Sequence, residues 1–293
     1  MHDLLITTIL TLLTLLSLLA SALAINRLRR SDPTPRLDQV IRWILSGCGA
    51  VGGGLFLYRA IYVHREWVPL EAHLDGLLLI ATLLSATVLF LELRSNLSGV
   101  AAFALPLLTL LLAWSICASW FTLELFHVNT IWKTVHLASN YLGTLFFVIA
   151  AGAGGMFLYA HMRLRNKNPV DAQVPLASLE AIERLIVRTA TLGFALLSLG
   201  VMMGVVDATV GPPHSGWFWS IKIVLASAVW LIFGIVMNVR YATSFRGARA
   251  AWLSITGMVL ILATIAVSVS SLHQNPHGRA ADVPHSHQSV EVP

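Results

Sequence analysis

The chain has 293 residues, of which 57% are hydrophobic and only 11% charged, and its formal net charge is +5. A soluble domain carries about 25% charged residues, so a water-soluble globule is excluded, and a mean hydropathy of +0.77 marks an integral membrane protein. The apolar runs are continuous rather than alternating, which selects helices over a barrel, and the basic residues fall between those runs, which speaks for membrane orientation rather than nucleic-acid binding.

Eight apolar segments follow in chain order, over about 4–26, 40–63, 72–93, 98–118, 135–160, 184–207, 217–239 and 250–272. Each is close to the roughly 20 residues that cross a hydrocarbon core. Within the first, Ala22-Leu23-Ala24 imitates a signal-peptidase site. No basic segment precedes it and the apolar run is longer than a signal core, so it reads as a retained span. Gly49-x-x-x-Gly53 in the second segment and Gly200-x-x-x-Gly204 in the sixth are small-residue patterns that let helices approach closely.

Arginine and lysine set the orientation. Arg27, Arg29, Arg30, Arg36, Arg94, Arg163, Arg165, Lys167, Arg184, Arg240, Arg246 and Arg249 fall on one side. The other side carries little beyond Arg59, Arg65, Lys133 and Arg279. The positive-inside rule puts the first set in the cytoplasm and both termini outside. The expectation is an all-α, polytopic membrane protein with eight transmembrane helices. Residues 1–272 form one membrane domain, and 273–293 a polar, disordered external tail.

Two connections stand out. On the inner side, Asn168-Pro169 and Val174-Pro175 break the loop 161–183. Ser178 is placed to cap a helix running into the sixth span, with Glu180 and Glu183 in its first turn. On the outer side, 119–134 holds Trp120, Phe121, Phe126 and Trp132 but is too polar for a span. It reads as a short helix lying on the interface, either an aromatic belt or a lid over an outer pocket.

The chemistry lies with histidine. Cys48 and Cys117 make no C-x-x-C and no C-x-x-C-H, which excludes a c-type cytochrome and a dithiol oxidoreductase. No phosphate loop, nucleotide fingerprint, hydrolase triad or H-E-x-x-H is present. His73, His136 and His273 sit at the outer ends of spans three, five and eight, at one level of the membrane. A single interfacial histidine is usually only a polar anchor; a set at one level suits haem iron, which takes two neutral imidazoles as axial ligands. His136 and His273 are the candidate metal ligands, with His73 in reserve. Trp217 and Trp219 offer indoles as a flat platform, and Lys222, one turn deeper, either snorkels outward or pairs with an anion such as a haem propionate. Arg59 and Arg65 are alternative propionate partners. Glu92, near the inner end of span three, has Arg94 as the nearest cation in sequence.

From about residue 65 onward these features resemble the cytochrome c assembly protein family, which includes CcsA-like and HemX-like membrane proteins. Trp132-Lys-Thr-Val-His136 with Tyr141 is similar to that family's external histidine opening a span. Leu179-Glu-Ala-Ile-Glu-Arg-Leu185 with Gly193-Phe194 and Leu199-Gly200 is similar to the segment before its tryptophan-rich motif. Trp217-Phe-Trp219-Ser-Ile-Lys222 with Trp230 resembles the motif written W-x-W-D-P-K-E. Phe245-Arg-Gly-Ala-Arg249 with Ala251-Trp252 resembles its G-W-R-G-R-R turn, and Leu272-His273 its second external histidine. The resemblance implies that His136 and His273 hold haem b and that Trp217 and Trp219 cradle it for delivery in cytochrome c maturation.

The departures are specific. Ser220, Ile221 and Ile223 stand where the motif has Asp, Pro and Glu, and Asn238 stands where CcsA-type proteins carry a histidine inside the membrane. The large external domain of full synthases is absent. Haem binding without an attachment activity of its own is the expectation, in a bacterial-type inner membrane and beside other maturation proteins. The alternatives are a haem-carrying structural or electron-transfer subunit of a respiratory complex, or a membrane regulator of haem biosynthesis acting through 161–183.

Overall fold

The computed structural model describes residues 2–29, 35–63, 73–94, 99–120, 131–165, 177–210, 221–238 and 247–273. All of the regular elements among them are helical. They are α1 (His2–Arg29), α2 (Pro35–Tyr58), α3 (His73–Arg94), α4 (Val100–Trp120), α5 (Ile131–Arg165), α6 (Leu179–Val210), α7 (Ile221–Asn238) and α8 (Ala248–His273). A single π-helical turn, Arg59–Val63, extends α2.

The element order matches the eight predicted segments, and the boundaries differ where polar residues end an apolar run but not a helix. The fifth helix spans 35 residues rather than stopping at 135 and 160. At about 1.5 Å per residue it is roughly 52 Å long, more than the ~30 Å hydrocarbon core. Its excess is polar at both ends, with Lys133 at one and Arg163 and Arg165 at the other. The expected interfacial helix over 119–134 is not a separate element at its ends. Residues 119 and 120 close α4, residues 131–134 open α5, and 121–130 lie outside the described residues. The seventh helix opens at Ile221 rather than 217, and residues 211–220 and the tail beyond 273 also lie outside the described residues.

Among the described residues, six helices are long and apolar enough to cross a membrane: those covering Leu4–Leu28, Arg36–Tyr62, Leu74–Leu93, Val100–Ser119, Ile131–Arg165 and Leu179–Val206. The shorter apolar stretches Ile223–Ile235 and Ala248–Thr264 lie in α7 and α8.

The helices form two consecutive rings of four. In the first, α1 packs on α2 and α4, and α3 on α2 and α4; in the second, α5 packs on α6 and α8, and α7 on α6 and α8. The fifth helix also touches α3 and α4 and so belongs to the junction as well as to its own ring. Both small-residue patterns serve packing inside the molecule. A Cβ at Gly53 would stand 3.2 Å from Thr82 Cγ2, and Ser85 Oγ donates to the Leu45 carbonyl at 2.6 Å, so α2 and α3 are nearly in backbone contact.

The second ring is closed by large side chains set into glycine slots. Phe147 and Phe233 stack with centroids 3.6 Å apart and are almost wholly buried. A Cβ at Gly193 would meet the Phe147 ring at 2.6 Å, and one at Gly257 would meet the Phe233 ring. Gly247, at φ +70° before α8, takes a backbone conformation that side chains oppose, and its carbonyl accepts from Ala251 N at 3.2 Å.

The ends of the helices that the arginine count assigns to one side are tied together by charge. Arg27 pairs with Asp38 at 2.8 Å and with Glu92 at 3.7 Å. Glu92 also accepts from Ala101 N at 3.3 Å, at the first turn of α4. Glu92 is therefore placed by Arg27 and the α4 N-terminus, and the side chain of Arg94 lies outside the described set. Ser178 caps α6 as its sequence position suggests, Oγ accepting from Ala181 N at 3.3 Å.

Candidate functional site

The long fifth helix brings His136 against α6, the most extensive helix contact among the described residues. The two helices run in opposite senses. His136 and Asn140, four residues apart and so on one face of α5, meet Gly200 and Gly204, four residues apart on α6. His136 Nδ1 lies 2.6 Å from the Gly200 carbonyl oxygen. A carbonyl only accepts, so Nδ1 carries the proton and Nε2 of the neutral ring carries the lone pair. The carbonyl has two lone pairs, so it serves this bond alongside the helix ladder.

Glycine makes the approach possible. A Cβ at Gly204 would stand 2.8 Å from both Cε1 and Nδ1 of His136, and one at Gly200 would collide with the Asn140 amide. One turn deeper, a Cβ at Gly143 would stand 3.2 Å from the Gly193 carbonyl. Gly193, Gly200 and Gly204 thus form a backbone track along α6 on which the polar face of α5 rests.

Asn140 completes the environment of the ring. Its Nδ2 lies 3.0 Å from His136 Nε2 and 3.4 Å from Nδ1. Its own carbonyl accepts from Thr144 Oγ1 at 2.8 Å. Sequence reasoning passed over Asn140, although its i+4 spacing from His136 was the available signal.

Beside this face lies a buried ion pair. Arg59, on the π-helical turn, meets Asp75 of α3 with Nε 2.5 Å from Oδ1, and Asp75 is 1% exposed. Arg59 is thus already engaged with a carboxylate. Next to Asp75, Gly76 leaves the space that the Tyr141 ring of α5 fills.

Helix register gives the levels of the other two histidines. The third and fifth helices run in the same sense, and Gly76 faces Tyr141. The backbone of His73 therefore falls about level with residue 138 of α5. The eighth helix runs oppositely, and Ala251 faces Gly154 with its carbonyl 2.9 Å from a Gly154 Cβ. His273, the last residue of α8, then falls about level with Trp132, roughly one turn outward of His136. The three backbones share one end of the bundle, and the side chains of His73 and His273 lie outside the described set. So does that of Lys222, in the first turn of α7, and that of Asn238 at its end; Trp217 and Trp219 lie outside the described residues altogether.

Among the described residues no group of three or more His, Cys, Asp or Glu side chains is arranged to hold a metal ion. A cavity of 420 Å³ opens towards the opposite end of the bundle, between α1, α4 and α5. Its wall is apolar apart from Tyr159, with Ile25, Leu28, Phe103, Pro106 and Gly155 contributing, and among the described residues its lining holds no histidine, cysteine or carboxylate.

The fold and its apolar helices define a multi-pass helical membrane protein. The family described as Cytochrome C assembly protein matches residues 67–274, which run from before α3 through the end of α8. The chain belongs to that family. It is similar to the cytochrome c biogenesis protein CcsA of Synechococcus sp. (strain RCC307), 31% identical over 107 residues, 36% of this chain and 34% of that protein. It is similar also to CcsA of Prochlorococcus marinus (strain MIT 9313), 28% identical over 134 residues, 44% of this chain and 39% of that protein. With CcsA of a second Prochlorococcus marinus strain (SARG / CCMP1375) the likeness extends over 239 residues at 26% identity, 77% of this chain and 74% of that protein. The matched stretch thus spans less than two thirds of the first two relatives. No solved structure matches this chain.

Proposed function

We propose that this protein binds one haem b near the outer face of a bacterial-type inner membrane, with His136 and His273 as axial ligands, and that it serves cytochrome c maturation. One observation carries the reading: the Nδ1–H bond of His136 to the Gly200 carbonyl. A ligating histidine needs its second nitrogen held in this way, because the bond selects the tautomer and aims the free lone pair. Relatives named for cytochrome c biogenesis supply the physiological context.

The donor set fits haem. Two imidazoles satisfy iron as ligands. Haem b, when bound, supplies a macrocycle for delivery to an apocytochrome. His136 presents Nε2; Trp217 and Trp219 offer flat apolar surface; and Lys222 offers a cation to a propionate. His73 shares the level and is the reserve ligand. The topology belongs to the same reading: eight spans and both termini outside put all three histidines on the external side, with the tail after 273 beyond them.

The protein holds haem without attaching it. Ser220 and Ile223 remove the carboxylates that would orient an acceptor or move a proton. The Phe147–Phe233 stack fills the second ring deeper than His136, by 11 residues or roughly 16 Å of helix. Haem crossing through this ring would have to displace it.

The test is spectroscopic. Purified protein is expected to give a reduced-minus-oxidised spectrum of low-spin haem b. His136→Ala or His273→Ala should lower haem retention, and the double variant should lose the bis-imidazole spectrum. Reconstituted with an acceptor bearing C-x-x-C-H, the wild-type chain alone should yield no covalent cytochrome. An unaltered spectrum in the double variant sinks the ligand assignment, and covalent product sinks the division of labour.

A further inference from the structure

We infer that Asn140 is a positioning residue for His136, clamping the face of the imidazole so that Nε2 stays aimed at the iron. This rests on the proposed role of His136 as a haem ligand and adds a residue to it.

The geometry of the amide carries the inference. A donor in the ring plane that served the Nε2 lone pair would stand well beyond hydrogen-bond distance of Nδ1. Asn140 Nδ2 is 3.0 Å from one ring nitrogen and 3.4 Å from the other. It therefore lies over the face of the ring and leaves the in-plane lone pair of Nε2 unused. The three contacts of the imidazole are complementary. The Gly200 carbonyl accepts the hydrogen bond from Nδ1–H, the Gly204 backbone bounds the Cε1–Nδ1 edge, and the Asn140 amide covers one face.

A single Nδ1–H···O bond fixes the tautomer but leaves the ring free to pivot about that bond. A group against the face removes the pivot. Asn140 packs against the Gly200 backbone, where any Cβ would collide with its amide, so the glycine makes room for the clamp. The Gly200-x-x-x-Gly204 pattern thus packs two helices and also holds a ligand and its clamp, the polar partner and the backbone partner of the same ring. An apolar residue at 140 would fill the space without bonding, and a residue with a smaller side chain would leave it open.

Two measurements test this, one of them without haem. In haem-free protein labelled with 15N-histidine, the resonances that vanish in His136→Ala should report a protonated Nδ1 and an unprotonated Nε2. Asn140→Ala should keep that tautomer, because the Gly200 bond remains, but 15N relaxation of these resonances should report a more mobile ring; Asn140→Ser, a milder truncation, should do the same if the alanine variant does not accumulate. In the haem-loaded protein, Asn140→Ala should retain the bis-imidazole spectrum but release haem about tenfold faster, at the low end for loss of a group that orients a metal ligand. Its low-spin electron paramagnetic resonance spectrum should shift as the ring plane turns. If His136→Ala leaves the haem spectrum unchanged, the ligand reading fails and this inference with it. If His136→Ala destroys that spectrum while the Asn140 variants match wild type in ring mobility and release rate, the ligand stands and the clamp alone is overturned.

Discussion

Gly204 separates a packing role from a ligand-holding role. Alanine is the better helix former by about 1 kcal/mol, so Gly204→Ala should strengthen α6 considered alone. Its Cβ would stand 2.8 Å from two atoms of the His136 ring, closer than real Cβ contacts come. The helix gains while the imidazole must turn. We therefore expect Gly204→Ala to insert and accumulate like wild type but to purify with several-fold less haem, measured as the haem-to-protein ratio. Normal haem content would mean that the ring has room to move and that the glycine track serves backbone packing only. His136 was legible in the sequence, because a histidine at the outer end of an apolar run is conspicuous. Asn140 was not, because an asparagine inside a predicted span reads as an isolated polar residue until its i+4 partner and the glycines of another helix are brought beside it. Arg59 was legible as a charge, but nothing along the chain pairs it with Asp75, 16 residues further on.

Hydropathy locates helices by their apolar centres, and that is why the order of elements was readable while their ends were not. The fifth helix shows the reason: Lys133 and Thr134 at one end and Arg163 at the other lower the hydropathy but keep helical geometry, so the element outruns the apolar segment. The cap at Ser178 was readable because capping is local chemistry, a hydroxyl three residues before the amide it accepts from. Packing between helices was readable only as a tendency. Gly200 and Gly204 announced a close approach, but nothing along the chain pairs Gly193 with Phe147 or Gly257 with Phe233. Those two slots make the Phe147–Phe233 stack the keystone of α5, α6, α7 and α8. Truncating it should leave a void that four helix backbones cannot all close around, and Phe147→Ala is expected to cost about 3–5 kcal/mol. A lowered thermal midpoint in detergent, with the α1–α4 ring retained in limited proteolysis, is the outcome that agrees. A loss under about 1 kcal/mol would mean that the ring collapses onto the void, as large-to-small changes allow where neighbours can move.

At the scale of the whole molecule, the two four-helix rings differ in what they are built to do. The first is tied at one end by Arg27, Asp38 and Glu92 and has its buried charge at the other, in Arg59 and Asp75. The second carries the α5–α6 track and the aromatic stack. Helix α5 is shared, so the histidine it presents is braced from both rings, by Gly76 against Tyr141 on one side and by the glycines of α6 on the other. This arrangement has functional meaning only if the His136 end of the bundle faces outward. The arginine-rich ends of α1, α5 and α8 argue that it does, since Arg27, Arg163, Arg165 and Arg249 lie at the opposite end from His136. With eight spans and both termini outside, Ser31 must be cytoplasmic and Ala280 external. Replacing Cys48 and Cys117 with serine and introducing Ser31→Cys or Ala280→Cys allows each site to be tested in intact cells or spheroplasts with a membrane-impermeant maleimide. Ala280→Cys should label before lysis and Ser31→Cys only after it. Labelling of both from the same side means an even number of crossings between them, and α7, at 18 residues or roughly 27 Å, would be the first helix to reconsider. Labelling of Ser31→Cys alone before lysis would invert the molecule and put His136 on the cytoplasmic side, where an external apocytochrome has no access to it.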